Sequence, residues 1–590
     1  MRGGVVRVGV VSVLSAICAF AAPVCAARAE EMTSEQLRVE MLDEVPNYPT
    51  ILKQQWSTTV RPATLESEAL HYGLLGDNGA PRPITLEESI ALALEHNTGL
   101  RIQKLTPIAA TARVRESWAQ FDPAIYGNAG KNRSNSPIAT ISPFTSGFET
   151  EQFNQDIDWN LGVRKQLLTG GRFNLAWTNE RLNSNPTVVN LLVPQYVSVL
   201  NASLTQPLLR DFGWRFAVLI VDVAQLSEQQ AFYDYKAQVA NLIATVEQAY
   251  WVYVLAIENV RVEEKGLDLA KELLRQNEGR FRVGALAQTA VLESEAEVAR
   301  REANLVRVRA LERIARDNLR ALINARDASE DALLLIVPAD QPTVRPVDLD
   351  LEQSLQRAST DRPELIAARL NADGRKIDRK IAENRLLPRL DLVGSGGLNG
   401  LGGVTASKPL AFPGTNVFFA ANPQVTGSYD RALELLTDGR YYQYQFGAVV
   451  EVPIGNADAK ARYAEAKVNA EQARLSVSQL EENVTLEITQ SVNNLKAYLK
   501  SIEATRLAKE LAEQNVRNQQ ARYDVGLATT KDLIDFTDRL TQAERAAVES
   551  LTNYNIEVAR LRRADGSLLA DRNVLLERTE PEPPPWWARF

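Results

Sequence analysis

Cysteine is almost absent from this chain: Cys18 and Cys25 are its two copies, and both lie in the first 25 residues. Arg2 and Arg7 precede an apolar run from about Val8 to Val24, and Ala27-Arg28-Ala29 has the small residues that signal peptidase cuts. A signal peptide over 1–29 therefore removes both thiols, which excludes disulfide frameworks and thiolate metal sites from the mature protein. The same cut removes Arg2, Arg7 and Arg28 with no acid and takes the formal charge from -8 to -11, so nothing favours a nucleic-acid partner. The two histidines, His71 and His96, are too isolated to hold a metal. After the signal no apolar run is read as long enough for a membrane-spanning helix, so insertion into a membrane must be by strands. No nucleophile stands with a base and an orienter; neither catalysis nor a cofactor is expected.

Proline is missing from two long stretches, Pro207 to Pro338 and Pro453 to Pro581. Each contains one copy of a short pattern, Arg280-Phe281-Arg282-Val283-Gly284 and Arg522-Tyr523-Asp524-Val525-Gly526. The duplication extends further. At a shift of 265, Leu86, Ser89, Ala93, Leu100 and Pro123 meet Leu351, Ser354, Ala358, Leu365 and Pro388 without a gap, in amphipathic helices that open on acidic residues and stop at the proline. At a shift of 242, Leu242, Val246, Ala249, Tyr253, Ala256 and Val260 meet Val484, Ile488, Ser491, Leu495, Tyr498 and Ile502, a heptad seam kept in register between the halves.

Between helices the period changes to two. Tyr442, Tyr444, Phe446, Ala448, Val450 and Val452 alternate with mostly polar residues; Trp159, Leu161 and Val163 alternate with Asp158, Asn160 and Arg164; Phe173, Leu175 and Trp177 alternate with Arg172, Asn174 and Thr178 across Thr169-Gly170-Gly171. One apolar and one wet face suit an outer-membrane barrel. A soluble sheet on a core is the alternative, and alternation alone does not reject it. Val393-Gly394-Ser395-Gly396-Gly397 opens no helix and is read as the start of an extracellular loop rather than a phosphate loop. Glu293, Glu295 and Glu297 read as solvated faces paired with Arg300 and Arg301.

A helix from Ala457 to Arg522 would be about 100 Å long, several times the bilayer core. The glycine of the repeated pattern then breaks it, and a second helix returns through Leu533 and Leu540 to Leu561 as an antiparallel coiled-coil hairpin with its tip at Val525-Gly526-Leu527.

The paired Arg-(Phe/Tyr)-x-Val-Gly tips, Gln206-Pro207-Leu208-Leu209 between strand and helix, and Tyr554-Asn555-Ile556 through Leu561-Arg562-Arg563-Ala564-Asp565-Gly566 together resemble the TolC-type outer-membrane efflux protein family, over about Ile84 to Leu569. The resemblance implies a mixed, mainly α fold: a transmembrane β-barrel shared by a homotrimer, continued by a long coiled-coil α-helical tunnel, with an internal two-fold repeat. Four strands cannot enclose a lumen and twelve can, which supports the trimer independently. The hairpin at Thr169-Gly170-Gly171 adds two strands to the first half, and whether it enlarges the barrel stays open. The organisation expected is an irregular periplasmic extension (30–83), a first repeat (84–337; strands about 124–207, hairpin about 215–327), a second repeat (338–569; strands about 389–453, hairpin about 457–565) and a proline-rich tail (570–590), read as disordered or a peptide ligand.

The function implied is a passive, porin-like exit duct for small molecules or exported proteins, opened at its periplasmic tip by an adaptor and an inner-membrane pump of an efflux or type I secretion system. A periplasmic adaptor and a structural coiled-coil envelope protein are the alternatives. Adaptor contact would fall on Arg280, Val283, Gly284, Ala285 and Leu286 and on Arg522, Tyr523, Val525, Gly526 and Leu527. Asp532 and Asp535 match the family's aspartate gate, although Thr529 and Asp532 also fit a capping box. The contacts that hold the tip closed in relatives are missing: Ala290 and Ala528 stand where an acid and an arginine are expected.

Overall fold

The computed structural model describes residues 82–138, 151–185, 191–323, 336–344, 346–347, 349–405 and 421–578. The expected signal peptide, most of the expected N-terminal extension and the end of the proline-rich tail lie outside them. Nearly all belong to one compact unit spanning Arg61–Val574; of the other, only the irregular segment 575–578 is described.

In chain order the elements are β1 (Arg82–Ile84), α1 (Leu86–His96), α2 (Thr98–Ala119), β2 (Ala124–Pro137), β3 (Glu151–Gln166), β4 (Arg172–Ser184), β5 (Leu192–Pro207), α3 (Trp214–Ala217), α4 (Leu219–Arg282) and α5 (Gln288–Ile323). They continue with β6 (Ile336–Pro338), α6 (Leu351–Asp361), α7 (Pro363–Asn384), β7 (Arg389–Thr405), α8 (Tyr429–Asp438), β8 (Tyr442–Glu451), α9 (Ala457–Asp524), α10 (Thr530–Ala564) and α11 (Leu568–Asp571).

The helices before each set of strands come as a short one and a long one. Thr85 caps α1 in a reciprocal box with Glu88, and Asn97 both ends α1 and caps α2 by accepting from the Leu100 N–H at 3.0 Å. Asp350 caps α6 through the Glu352 N–H at 2.9 Å, and Pro363 starts α7 where its missing N–H costs nothing. The expected single helix is thus a pair in both places, because Asn97 and Arg362 take extended backbone.

Six antiparallel strands form one sheet in the order β2-β3-β4-β5-β7-β8. The Thr169-Gly170-Gly171 hairpin is part of that sheet: β3 and β4 lie between β2 and β5. Gly170, at φ +85°, lets the turn press against the Asp211 carbonyl, where a side chain would collide. Register places Ile125, Trp159, Leu161, Val163, Leu175, Trp177, Leu200, Leu392, Tyr444 and Phe446 on one face, and Asn160, Asp158, Thr178, Asn174, Ser203, Asp391, Ser395 and Gln445 on the other. Val393 to Gly397, expected to open a loop, lies inside β7. Glycine normally weakens a strand, but at Gly400 and Gly402 the space is filled. α8 packs flat on the apolar face there, with the Ser428 carbonyl 2.7 Å from where a Gly402 side chain would begin. Ala432, Leu435 and Leu436 are the buried face of α8.

α4 (64 residues) folds back on α5, and α9 (68 residues) on α10. Val484, Ile488, Val492 and Leu495 of α9 pack with Tyr554, Val558, Leu561 and Ala564 of α10 and Ala358 of α6; each buried apolar side chain contributes about 1.5–3 kcal/mol. α4 also packs against α1, α2, α7 and α10. Contrary to the sequence reading, the helical stretch of α3 and α4, Trp214–Arg282, contains an 18-residue window of mean hydropathy 1.2, enough by length and composition to cross a membrane. Here Ile243, Val246, Tyr250, Tyr253 and Val254 of that stretch are buried within the protein, and Tyr250 and Tyr253 donate to the Ile84 and Ile336 carbonyls of the β1–β6 pair at 3.0 and 2.6 Å.

Candidate functional site: the tips of the helical hairpins

Both hairpins turn in the same way. Gly284 and Gly526 each have φ +78°, a left-handed value that only glycine adopts without strain. The Ala285 N–H donates to the Arg280 carbonyl and the Leu527 N–H to the Arg522 carbonyl, both at 2.8 Å, satisfying the last carbonyls of α4 and α9. Val283, Val525 and Leu527 are at least 70% exposed, so each tip presents apolar side chains outward.

Tyr523 does the opposite. Grouped by sequence with the contact surface, it is only 2% exposed and packs with Leu273 and Leu533. Its hydroxyl bonds Asn277 of α4 closely and lies 3.4 Å from Thr530 Oγ1 of α10. Asn277 Nδ2 in turn donates to Ser294 Oγ of α5 at 2.7 Å. Asn277, Ser294, Thr530 and Tyr523 thus join all four tip helices through a buried set of hydrogen bonds, which holds geometry because an unpaired member would be costly. Arg280 closes the outer side: its guanidinium lies 4.7 Å from the Tyr523 ring centroid, donates to the Tyr523 carbonyl at 3.3 Å, and pairs with Asp524 at 3.2 Å. The sequence signal was available in Asn277, but nothing local connects it with a tyrosine 246 residues away.

Asp532 and Asp535 follow on α10, both exposed and less than one helical turn apart. Asp532 is the N3 residue of a capping box: it accepts from the Thr529 N–H at 3.0 Å, and its own N–H donates to Thr529 Oγ1 at 3.2 Å. The Thr529 hydroxyl, then the Thr529 amide, hold its carboxyl below the usual aspartate range, with smaller help from Arg522 and Lys531.

Farther along α10 the hairpins meet through charge. Arg301 of α5, 2% exposed, donates to Glu297 Oε1 at 2.6 Å, to Thr541 Oγ1 at 3.1 Å and to Asp538; Arg300 binds the same Glu297 and Asp538. Glu263 of α4 pairs with Arg545 of α10, whose pKa burial lowers, and Lys265 reaches Glu544 at 2.6 Å. Glu297 is therefore a buried member of a network between hairpins, not a solvated face; Glu293 and Glu295 are exposed. Gly266 makes room for it: a side chain there would begin 2.8 Å from Arg301 Nη1.

The family model described as outer membrane efflux protein matches residues 193–325 and 354–567. The outer membrane protein TolC of Escherichia coli (strain K12) is 25% identical over 388 residues, 66% of this chain and 71% of that protein. TolC of Vibrio cholerae is 24% identical over 384 residues, covering 64% and 78%. Among solved structures, the Campylobacter jejuni CmeC outer membrane channel aligns with a TM-score of 0.58 at 16% identity, over 84% of this chain and 87% of that one. The open state of the Neisseria gonorrhoeae MtrE outer membrane channel aligns with a TM-score of 0.53 at 18% identity, over 82% and 89%. At these identities the solved structures speak for the fold.

Proposed function

Since the chain belongs to the outer membrane efflux protein family and is an efflux duct of the outer membrane, we propose that three copies build one conduit: an eighteen-strand barrel continued by a tunnel of helices. The carrying observation is the six-stranded sheet, apolar on one face and polar on the other, whose edge strands β2 and β8 each have an outer side without a partner strand among the described residues. Open edges invite pairing with another copy, and six strands per chain make the lumen of a trimer wide enough for cargo. The internal repeat supplies two hairpins per chain to the tunnel. On α9, Val468, Leu475, Leu486, Leu507 and Leu511 are exposed and fall on one helical face, a stripe suited to a neighbouring copy.

In this reading the exposed tip residues Val283, Gly284 and Ala285 and the half-buried Leu286, with Val525, Gly526 and Leu527, dock a periplasmic adaptor, and Arg280 and Tyr523 lock the tip from behind. Three copies each of Asp532 and Asp535 form a negative constriction that binds cations. An inner-membrane pump supplies the energy and most of the selectivity. Detergent extraction, mass measurement and single-channel recording test the proposal together. A trimer that conducts is expected; a monomer that does not conduct sinks it.

A further inference from the structure

The apolar face of the sheet carries a cluster of cations toward the end away from the helices, well separated from Lys165 at the helical end. Lys131 of β2, Ile157 of β3, Arg181 of β4, Tyr196 of β5 and Gly402 of β7 form one cross-strand row. Arg133, one step farther from the helices, stands opposite Gln155 with its guanidinium 5.2 Å from the Phe153 ring centroid. On the helical side of this row the same face turns apolar and aromatic. Trp159 and Trp177 meet edge to face with centroids 4.8 Å apart, and Tyr196, in the row itself, lies 6.1 Å from Tyr429 of α8. An aromatic girdle marks the level where lipid tails give way to headgroups, and lysine or arginine on the lipid side is costly at mid-bilayer but nearly neutral at that level.

These cations lack a carboxylate partner. Among the described residues Lys131, Arg133 and Arg181 form no ion pair, and the carboxylates of this face and of α8 are engaged elsewhere. Glu151 accepts from Asn135 at 2.7 Å, Glu434 pairs with Arg431 at 2.7 Å, Asp438 with Arg440 at 3.4 Å, and Asp430 accepts from Ser428. The acids near this level of the sheet, Asp156, Asp158 and Glu180, are on the opposite face. Charge is therefore sorted through the sheet, cationic outward and acidic inward. With strands about 4.8 Å apart, Lys131 and Arg181 are separated by about 10 Å across Ile157, a span that a headgroup with two phosphates bridges and a single small anion does not.

We propose that Lys131, Arg133 and Arg181 form a site for the phosphates of an outer-leaflet glycolipid, whose acyl chains lie along Trp159, Leu161 and Trp177. The assignment rests on the outer-membrane barrel reading above. Each phosphate contact falls at the headgroup level, and the aromatic rows beneath take the upper chain segments.

The test uses the detergent-solubilised full-length assembly, with lipid retention measured by native mass spectrometry. A diphosphorylated glycolipid should be retained by the unaltered protein, and by the K131Q/R133Q/R181Q variant at least tenfold more weakly. The dephosphorylated glycolipid should bind the unaltered protein no better than the variant binds the phosphorylated one. Equal retention by protein and variant, or by the two lipids, overturns the site. Displacement by millimolar inorganic phosphate overturns it as well, because it would reveal a simple anion site. Single-channel conductance, read on the same samples, separates the two readings: a difference in retention without conductance keeps the site and removes the duct, whereas conductance with equal retention does the reverse.

Discussion

The Arg280 guanidinium lies over the ring of Tyr523, 4.7 Å from its centroid, and so ties the end of α4 to the end of α9. Arg280 is about one-third exposed, so its stacking and its pairing with Asp524 together hold the tip by about 1 kcal/mol. R280A should therefore raise the population of open tips about fivefold, seen as longer open dwell times in single-channel recording. Unchanged dwell times would mean that the buried Asn277–Tyr523–Thr530 contacts suffice alone.

Gly266 and Gly279 lie in the same helix and should respond to alanine with opposite signs. Alanine usually stabilises a helix interior by up to about 1 kcal/mol over glycine, and Gly279 has nothing within 4 Å of the new methyl. G279A should raise the melting temperature slightly. At Gly266 the methyl would meet Arg301 Nη1, which Glu297, Asp538 and Thr541 hold in place, so G266A should lower it. Two increases would show that the Arg301 network yields freely.

Removing one partner from that network should cost far more than removing an exposed pair. R301A leaves Glu297 and Asp538 to the half-exposed Arg300 alone and removes the buried partner of Thr541, at about 3 kcal/mol. R309A breaks only its exposed pair with Glu264 and should cost under about 1 kcal/mol. Thermal unfolding of the two variants side by side decides this, and equal shifts would refute the assignment of Arg301 to a buried junction.

The helical seam was legible in part. Val484, Ile488, Ser491 and Leu495 are all buried, as their heptad spacing requires, because α9 buries that face mainly on α10. Their counterparts Leu242 and Ala249 are only half-buried, while Ile243, Tyr250 and Val254 off the seam are buried, since α4 is packed on several sides and one stripe describes one neighbour. Val393 to Gly397 misled because glycine signals a turn when its neighbours are unseen. In β7 the missing side chains leave room, as at Gly397, where a Cβ would begin 2.9 Å from the Leu200 carbonyl. The tip lock was hidden for a related reason: its members are far apart in sequence, and the family pattern pointed to Ala290 and Ala528 instead.

Block of the channel by multivalent cations should depend on Asp532 and Asp535, and on pH in a defined direction. The Asp532 pKa is lowered by Thr529, so its charge and its capping contribution are both present above the ordinary aspartate value of about 3.9 and are lost only as pH falls through a lower one. Block at neutral pH should fall in the D532A/D535A variant. In T529A the carboxylate keeps its position but loses the hydroxyl that lowers its pKa, so block should disappear at a higher pH than in the unaltered protein. A gate built from other residues would leave block unchanged in the first variant, and a carboxylate outside the pore would leave its pH midpoint unchanged in the second.

Detachment of α8 gives the most direct test of why β7 carries glycine on its apolar face. A side chain at Gly400 would collide with the Ala432 carbonyl, and one at Gly402 would begin 2.7 Å from the Ser428 carbonyl; both obstacles are backbone and cannot rotate away. The helix holds its seat through Ala432, Leu435 and Leu436 and through the Tyr429 hydroxyl, which donates to Asn179 Oδ1 at 2.7 Å. G400V should lift α8 while leaving the β5–β7 ladder intact, because valine suits a strand and the register bonds on either side of it are backbone bonds. Trypsin should then cut at Arg431, which in the seated helix is engaged with Glu434 and the Gln424 carbonyl. Valine at Gly447, with nothing within 4 Å, supplies the control that must remain resistant. Equal cleavage of both variants would place the loss of resistance in the strands rather than in the seat of α8.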